Sequence, residues 1–236
     1  MILLKPYHKI ETPIDGENAT RILKLIESAA RTCYKSEDKI TKDSCRGFVK
    51  RIANVYKHES VIEHSSVTVR FILDRGVSHE IVRHRLCAFS QESTRYVDYS
   101  VDGATKGNCQ FIIPPWCKDI PEGKWIFNNG ALHNGKNDDG AIAFNEDSMV
   151  FLEALQTAED SYNRLSTLGW TPQQARDVLP NSTKTEIVVT TNLREWKHVL
   201  NLRADQKAHP QMREVMVPLL KDFQTYLPEI FGEAPL

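Results

Sequence analysis

Ser65-Ser66-Val67-Thr68-Val69-Arg70-Phe71-Ile72-Leu73-Asp74-Arg75-Gly76 is the stretch that decides the fold class. Val67, Val69, Phe71 and Leu73 alternate with Ser66, Thr68, Arg70 and Ile72, the two-residue period of a strand with one buried face. Asp74-Arg75-Gly76 supplies the turn, and Ser78 can cap a short helix through about Leu86. That turn is not a Gly-x-Gly-x-x-Gly loop, and the chain has no Walker A loop, so a phosphate-bearing ligand would have to be held by side chains.

Toward the N-terminus, Met1 to Ile10 reads as a short strand. A helix is expected from about Ala19 to Tyr34, with Ile22, Leu25, Ile26, Ala29 and Cys33 on its buried face. Phe48, Ile52 and Val55 predict another helix before Glu59. Toward the C-terminus, Ala88 to Ser100 has no clean period and reads as a loop. Residues 101–143 are punctuated by glycine and proline and are expected to be an excursion on the same domain, with Cys109 to Ile113 a strand within it.

Order returns with a helix from about Asn145 to Leu168, striped by Met149, Leu152, Leu155, Ala158, Tyr162 and Leu165 and closed by Gly169. Thr171-Pro172 opens a short helix through Val178, and Thr183 to Thr191 is a strand with Ile187 and Val189 on one face. Asn192 can cap the next helix. A last helix begins near Pro210 and carries Met212, Val215, Met216, Leu219, Leu220 and Phe223. Strands do not alternate strictly with helices, which favours α+β over a doubly wound sheet: one domain over 1–236, a mixed or antiparallel sheet flanked by helices.

Composition excludes several classes. Hydrophobic residues at 41% and charged residues at 26% are those of an ordinary globular chain. A net charge of -1 leaves no global field for nucleic acid or an anionic membrane, so any anion site must be local. Lys5 and Pro6 break the apolar N-terminus well short of a signal peptide or of the roughly 20 residues of a membrane span, so a cytoplasmic location is expected. The five cysteines are odd in number and form no Cys-x-x-Cys pair, which signals neither a disulfide framework nor structural zinc.

Chemistry concentrates in Arg83-His84-Arg85-Leu86-Cys87-Ala88-Phe89-Ser90-Gln91-Glu92-Ser93-Thr94-Arg95-Tyr96. Guanidinium forks match phosphate oxygens, and Ser90, Gln91, Ser93 and Thr94 add neutral donors. Adjacent helical residues point about 100° apart. Arg83 to Arg85 therefore cannot all grip one small ligand from a regular helix: either the helix ends there, or the triplet bridges ligands or subunits. Ser93 and Arg95 would share a side if that stretch were extended. The plain alternative is surface ion pairing of Arg83, Arg85 and Arg95 with acids such as Glu80 and Glu92.

Three rival chemistries are weaker. His79-Glu80-Ile81-Val82-Arg83-His84 has its second histidine five residues on, not the four that zinc proteases need, which swings it about 140° around the helix from the first, so no metal site is expected. Arg83 and Arg85 can lower the pKa of Cys87, but no Cys-His-Asn set is readable, and Cys87 is read as packing beneath the motif. An RNA-binding module using Phe89 and Tyr96 to stack bases lacks a sustained basic stripe.

Arg-His-Arg, seven residues, Ser-x-Arg resembles the signature of the flavin-dependent thymidylate synthases. Ile62-Glu63-His64, Ala175-Arg176-Asp177-Val178-Leu179-Pro180 and Asn201-Leu202-Arg203-Ala204-Asp205 resemble further blocks of that family, in the family's order. The resemblance implies an enzyme that transfers the methylene of methylenetetrahydrofolate to C5 of dUMP and reduces it with hydride from FAD, which NADPH regenerates. It implies a tetramer with shared active sites and no obligatory enzyme nucleophile. By matched position it assigns dUMP to Glu80, Ile81, Val82, Arg83, Gln91, Glu92, Ser93, Thr94, Arg95, Arg176 and Arg203. It assigns FAD to His64, Ser66, Arg83, His84, Arg85, Gln91, Asn192, Leu193, Arg194 and His198.

Arg203 resembles the arginine that meets the pyrimidine edge and favours ionisation at N3, which makes it the catalytic candidate. Read by itself it would be a helix C-terminal cation on the dipole. Arg194 and His198, four apart, should share a helix face, whereas Arg203 is half a turn around from Arg194. Glu80 stands where many members carry glutamine and His198 where many carry asparagine; Lys207 and His209 also depart from the commonest form. An acid beside a phosphate is unfavourable, which assigns Glu80 to the base or sugar.

Overall fold

A computed structural model describes residues 1–100, 103–133 and 144–232; the excursion expected at 101–102 and 134–143 lies outside the described residues. The first strand divides at Lys5-Pro6 into β1 (Ile2–Leu4) and β2 (Tyr7–Ile10), which join different sheets. Proline has no N–H for a ladder, so the single predicted strand breaks there. The helices α1 (Gly16–Thr32) and α2 (Ser44–Lys50) follow, and α2 runs on into a π-helical turn at Arg51–Val55. The inner face of α1 is Ala19, Leu23, Ile26, Glu27, Ala30 and Arg31, rotated from the predicted stripe, and Leu25 and Cys33 are exposed. Apolar periodicity missed it because a buried ion pair, Arg31 to Glu27 at 2.7 Å, occupies two inward positions.

The deciding stretch is a strand, β3 (Ser66–Asp74), as predicted. Asp74, not Ser78, caps α3 (Arg75–Ile81): its carboxylate accepts from the Val77 N–H at 2.8 Å, while the Ser78 hydroxyl donates to the Arg75 carbonyl. With its cap four residues earlier, α3 ends at Ile81 rather than Leu86. The expected loop at Ala88 to Ser100 opens with a strand, β4 (Ala88–Gln91), because edge pairing needs no buried apolar period. Beyond it, Ser93 to Tyr96 is a tight turn (Tyr96 N–H to Ser93 O, 3.1 Å), not the extended run that would set Ser93 and Arg95 side by side.

Short strands occupy the described part of the glycine-rich stretch: β5 (Gln110–Ile112), β6 (Gly123–Lys124), β7 (Ile126–Asn128) and β8 (Ala131–His133). The helices α4 (Glu146–Thr167) and α5 (Pro172–Ala175) follow, the latter opened by a Thr171–Gln174 capping box. A last strand, β9 (Lys184–Asn192), leads to α6 (Leu193–Arg203), α7 (Pro210–Tyr226) and α8 (Pro228–Phe231). The strands form sheets ordered β5-β1-β6, β2-β3-β9-β4 and β7-β8. β1 runs parallel to β5 and antiparallel to β6, so the sheet is mixed and the class is α+β.

The described residues fall into two compact units. The first comprises Met1–Tyr7, Ile72–Ile81 and Gln91–Ile187. Its core gathers Met1, Leu3, Phe111, Leu132, Leu152, Leu155 and Tyr162, so α4 buries its predicted stripe against β1 and β5. The second comprises His8–Phe71, Val82–Ser90 and the chain from Val188. It centres on Trp196, whose indole N–H donates to the Val67 carbonyl at 2.9 Å and whose ring packs between Phe71 and Phe223. Both units are discontinuous in sequence, and the arginine motif divides between them at Ser90.

Candidate active site

In the second unit, the end of α3 frees Arg83-His84-Arg85 from helical geometry, one of the two options that the sequence left open. The triplet alternates: Arg83 and Arg85 are exposed and His84 is buried. His84 Nε2 accepts from Arg203 Nε at 3.0 Å. Its Nδ1 stands 3.8 Å from Glu195 Oε1, and its ring meets His198 edge-on at 5.9 Å. Burial, then the Arg203 charge and His198, hold the His84 pKa down at about 4, so the ring is neutral at physiological pH. Arg203 closes α6 and points at this ring, which replaces the helix-dipole reading.

His84, Glu195 and His198 bring ligand-type atoms within 4.8 Å of one another. A neutral imidazole has one lone pair, however, and that of His84 faces the Arg203 N–H, so Nδ1 carries the proton. The cluster in this state is a hydrogen-bonding set rather than a ready metal site.

Beside it lies a cavity of about 670 Å³, lined by Asn192, Arg194 and His198 among the predicted residues. As expected, Arg194 and His198 present one helix face to it. Glu59, Glu63, Leu86, Glu195, Lys197 and Asn201 also line it and were not foreseen. The pattern Glu63-His64 and the i, i+3 step from Asn192 to Glu195 were the available signals. Asn192 is the N-cap of α6, accepting the Glu195 N–H at 2.9 Å, as its sequence predicted. Ser65 accepts the Leu193 N–H at 3.0 Å, which ties His64 and Ser66, both exposed, to the start of α6. Leu193 itself is fully buried.

Charge in the cavity is mixed. Arg194 pairs with Glu63 at 2.6 Å, and Lys197 pairs with Glu59 at 2.8 Å, which holds the Glu59 carboxyl below its usual range. The wall thus offers amides, two tethered cations and the exposed apolar Leu86, with Arg85 one residue away in sequence. Asn192, Asn201 and His198 could hold a heteroaromatic ligand, whereas an anionic tail would have to draw Arg194 from Glu63 or Lys197 from Glu59. Cys87 is no nucleophile here: burial pushes its thiol up to about 11, against the lowering that nearby arginines would give.

In the first unit, the predicted dUMP segment is well ordered by its own contacts. Gln91 donates to Ser78 Oγ at 2.9 Å and Thr185 Oγ1 at 3.1 Å, leaving its carbonyl for other use. Glu92 accepts from Lys184 at 2.7 Å and from the Tyr99 hydroxyl, and its N–H donates to Glu186. Ile81 and Thr94 are buried, Glu80 and Ser93 half-buried, and Val82 in the second unit is exposed. Arg95 and Arg176 are exposed. The surface-pairing alternative fails: Glu92 is engaged by Lys184 and Tyr99. The guanidinium groups of Arg83, Arg85, Arg95 and Arg176 make no hydrogen bond or ion pair among the described residues. Unpaired arginines on an ordered scaffold are what anion recognition requires.

The fold is that of an α+β protein in which Arg83, Arg85, Arg95 and Arg176 stand exposed as the side chains that could hold an anion. The family model for the thymidylate synthase complementing protein matches residues 17–229, and the chain belongs to that family. The flavin-dependent thymidylate synthase of Mycolicibacterium vanbaalenii is 35% identical over 212 residues, covering 89% of this chain and 78% of that protein. That of Corynebacterium glutamicum is 32% identical, covering 94% and 81%. Among solved structures, Thymidylate Synthase X from Helicobacter pylori, crystallised with FAD and dUMP, superposes with a TM-score of 0.65 at 20% identity, over 96% of this chain and 97% of that one. A UMP/dUMP methylase from Streptomyces cacaoi gives 0.68 at 23%, over 98% and 95%. At those identities the structures support the fold.

Proposed function

We propose that the chain is a flavin-dependent thymidylate synthase that moves the methylene of methylenetetrahydrofolate to C5 of dUMP and reduces it to the methyl group of dTMP. The observation that carries this reading is the 3.0 Å contact between Arg203 and His84, which joins two family blocks 119 residues apart. Bound FAD, once reduced by NADPH, would supply the hydride of the final reduction.

The chain's own residues then have separate tasks. Arg95 and Arg176 of the first unit hold the dUMP phosphate through forked hydrogen bonds, with Gln91 and Ser93 as neutral partners, and Arg83 is given to dUMP by its matched position. Arg203 sets a fixed cation at the pyrimidine edge, which favours the N3 anion and raises electron density at C5. Asn192, Arg194 and His198 line the flavin cavity, and Arg85 meets the flavin phosphates. His64 and Ser66 flank it in sequence, and Glu80 faces the base or sugar. The single-domain reading, a homotetramer that shares its sites, NADPH as reductant and a cytoplasmic location all belong to this proposal. No helix among the described residues is long and apolar enough to cross a membrane.

The test is optical. Purified protein supplied with FAD should be yellow and should bleach when NADPH is added anaerobically in the presence of dUMP. Failure to bind FAD, with salt-dependent affinity for oligonucleotides instead, would establish the RNA-binding alternative.

A further inference from the structure

We propose that Glu195 and His84 are positioning residues for Arg203: the Glu195 carboxylate keeps the proton of His84 on Nδ1, so that Nε2 remains the acceptor that aims the Arg203 guanidinium. The inference rests on the function proposed above.

Glu195 is buried, yet its carboxylate makes no hydrogen bond among the described residues. It stands on the wall of the open cavity, and its charge acts on the groups packed behind it. His84 Nδ1 lies 3.8 Å from it, too far for a settled hydrogen bond and close enough to bias where the imidazole proton sits. The neutral ring has one N–H and one lone pair. A carboxylate on the Nδ1 side stabilises the N–H there and leaves the lone pair on Nε2, where Arg203 Nε donates at 3.0 Å. The reverse tautomer would set two N–H groups head to head.

Other groups around the ring are accounted for. His198 meets it edge-on from α6, Arg203 stands on the Nε2 side, and Cys87 remains a neutral thiol. None of these is an anion. Glu195 is therefore the one anion of this set: it holds the Nδ1 proton from one side of the ring while the Arg203 donor faces the lone pair on the other, as carboxylates do behind the histidines of metal and triad sites.

The test is a double-mutant cycle in steady-state dTMP formation. Glu195→Gln keeps the size but can donate to Nδ1, which moves the imidazole proton to face Arg203. We expect kcat to fall on the order of 10- to 100-fold, with a smaller change in the KM for dUMP and with FAD content and Tm retained. Glu195→Asp keeps the charge and should recover part of the loss. His84→Gln lowers activity but places an acceptor near the Nε2 position with no tautomer to select. In that background, Glu195→Gln should cost no more than about twofold further.

The relay is overturned if Glu195→Gln leaves kcat unchanged, or if its fold-loss is the same with Gln at position 84. A wild-type protein that forms no dTMP removes the proposed function itself; an active wild type with uncoupled variants removes only the relay.

Discussion

Arg194 Nη1 lies 2.6 Å from Glu63 Oε1, so the cation on the wall of the large cavity is already neutralised by an acid from the block whose next residue is His64. Both partners are about half exposed, and such pairs are worth about 0–1 kcal/mol. Under the proposed function, a flavin pyrophosphate held by Arg194 competes with Glu63 for it. Glu63→Gln should therefore tighten FAD binding by up to about fivefold in a fluorescence titration. Weaker binding would mean that Glu63 itself contacts the flavin.

Arg176 is exposed and its guanidinium makes no hydrogen bond or ion pair among the described residues, so little of the fold's stability is expected to rest on it. Arg176→Ala should leave unfolding stability within about 0.5 kcal/mol and raise the KM for dUMP on the order of 10- to 100-fold. A large loss of Tm with unchanged KM would reassign it to structure.

Lys184 and Glu92 pair at 2.7 Å with both side chains largely covered, and the Tyr99 hydroxyl donates to the second carboxylate oxygen. Burial and the adjacent carboxylate push the Tyr99 pKa up, so it stays a neutral donor. Lys184→Met strands the Glu92 charge with only the phenol. Denaturant unfolding should lose about 3 kcal/mol, and a change below about 0.5 kcal/mol would show that the pair is solvated.

His84 has a folded-state pKa of about 4 against an ordinary 6.5. Between those values the unfolded chain binds more protons than the folded one, so stability falls as pH drops from 6.5 toward 4. Above 6.5 this contribution is complete. His84→Gln should flatten that part of the stability curve, and an unaltered slope would contradict the assignment.

Much of this was legible in the sequence because the signals were local. The alternation in β3, the stripe of α4 and the caps at Thr171 and Asn192 each need only a few neighbouring residues, and each appears where it was expected. Elements set by distant partners were harder. The inner face of α1 was misplaced because Glu27 and Arg31 satisfy each other inside, and β4 was missed because its stability comes from sheet pairing rather than burial. At the site, residue types were readable and partnerships were not. Arg203 and His84 were each singled out, but their contact spans 119 residues. Glu195 is, in sequence, only an acid in the first turn of a helix, and its place beside His84 is visible only in the fold.

The most direct test of the whole account is tritium release from 5-tritiated dUMP, with FAD, NADPH and methylenetetrahydrofolate supplied. Wild-type protein should release tritium in step with dTMP, and Arg203→Ala should abolish both while its fold is retained. Wild-type protein that binds flavin and dUMP yet releases no tritium, or an Arg203→Ala variant with near-normal release, would contradict it.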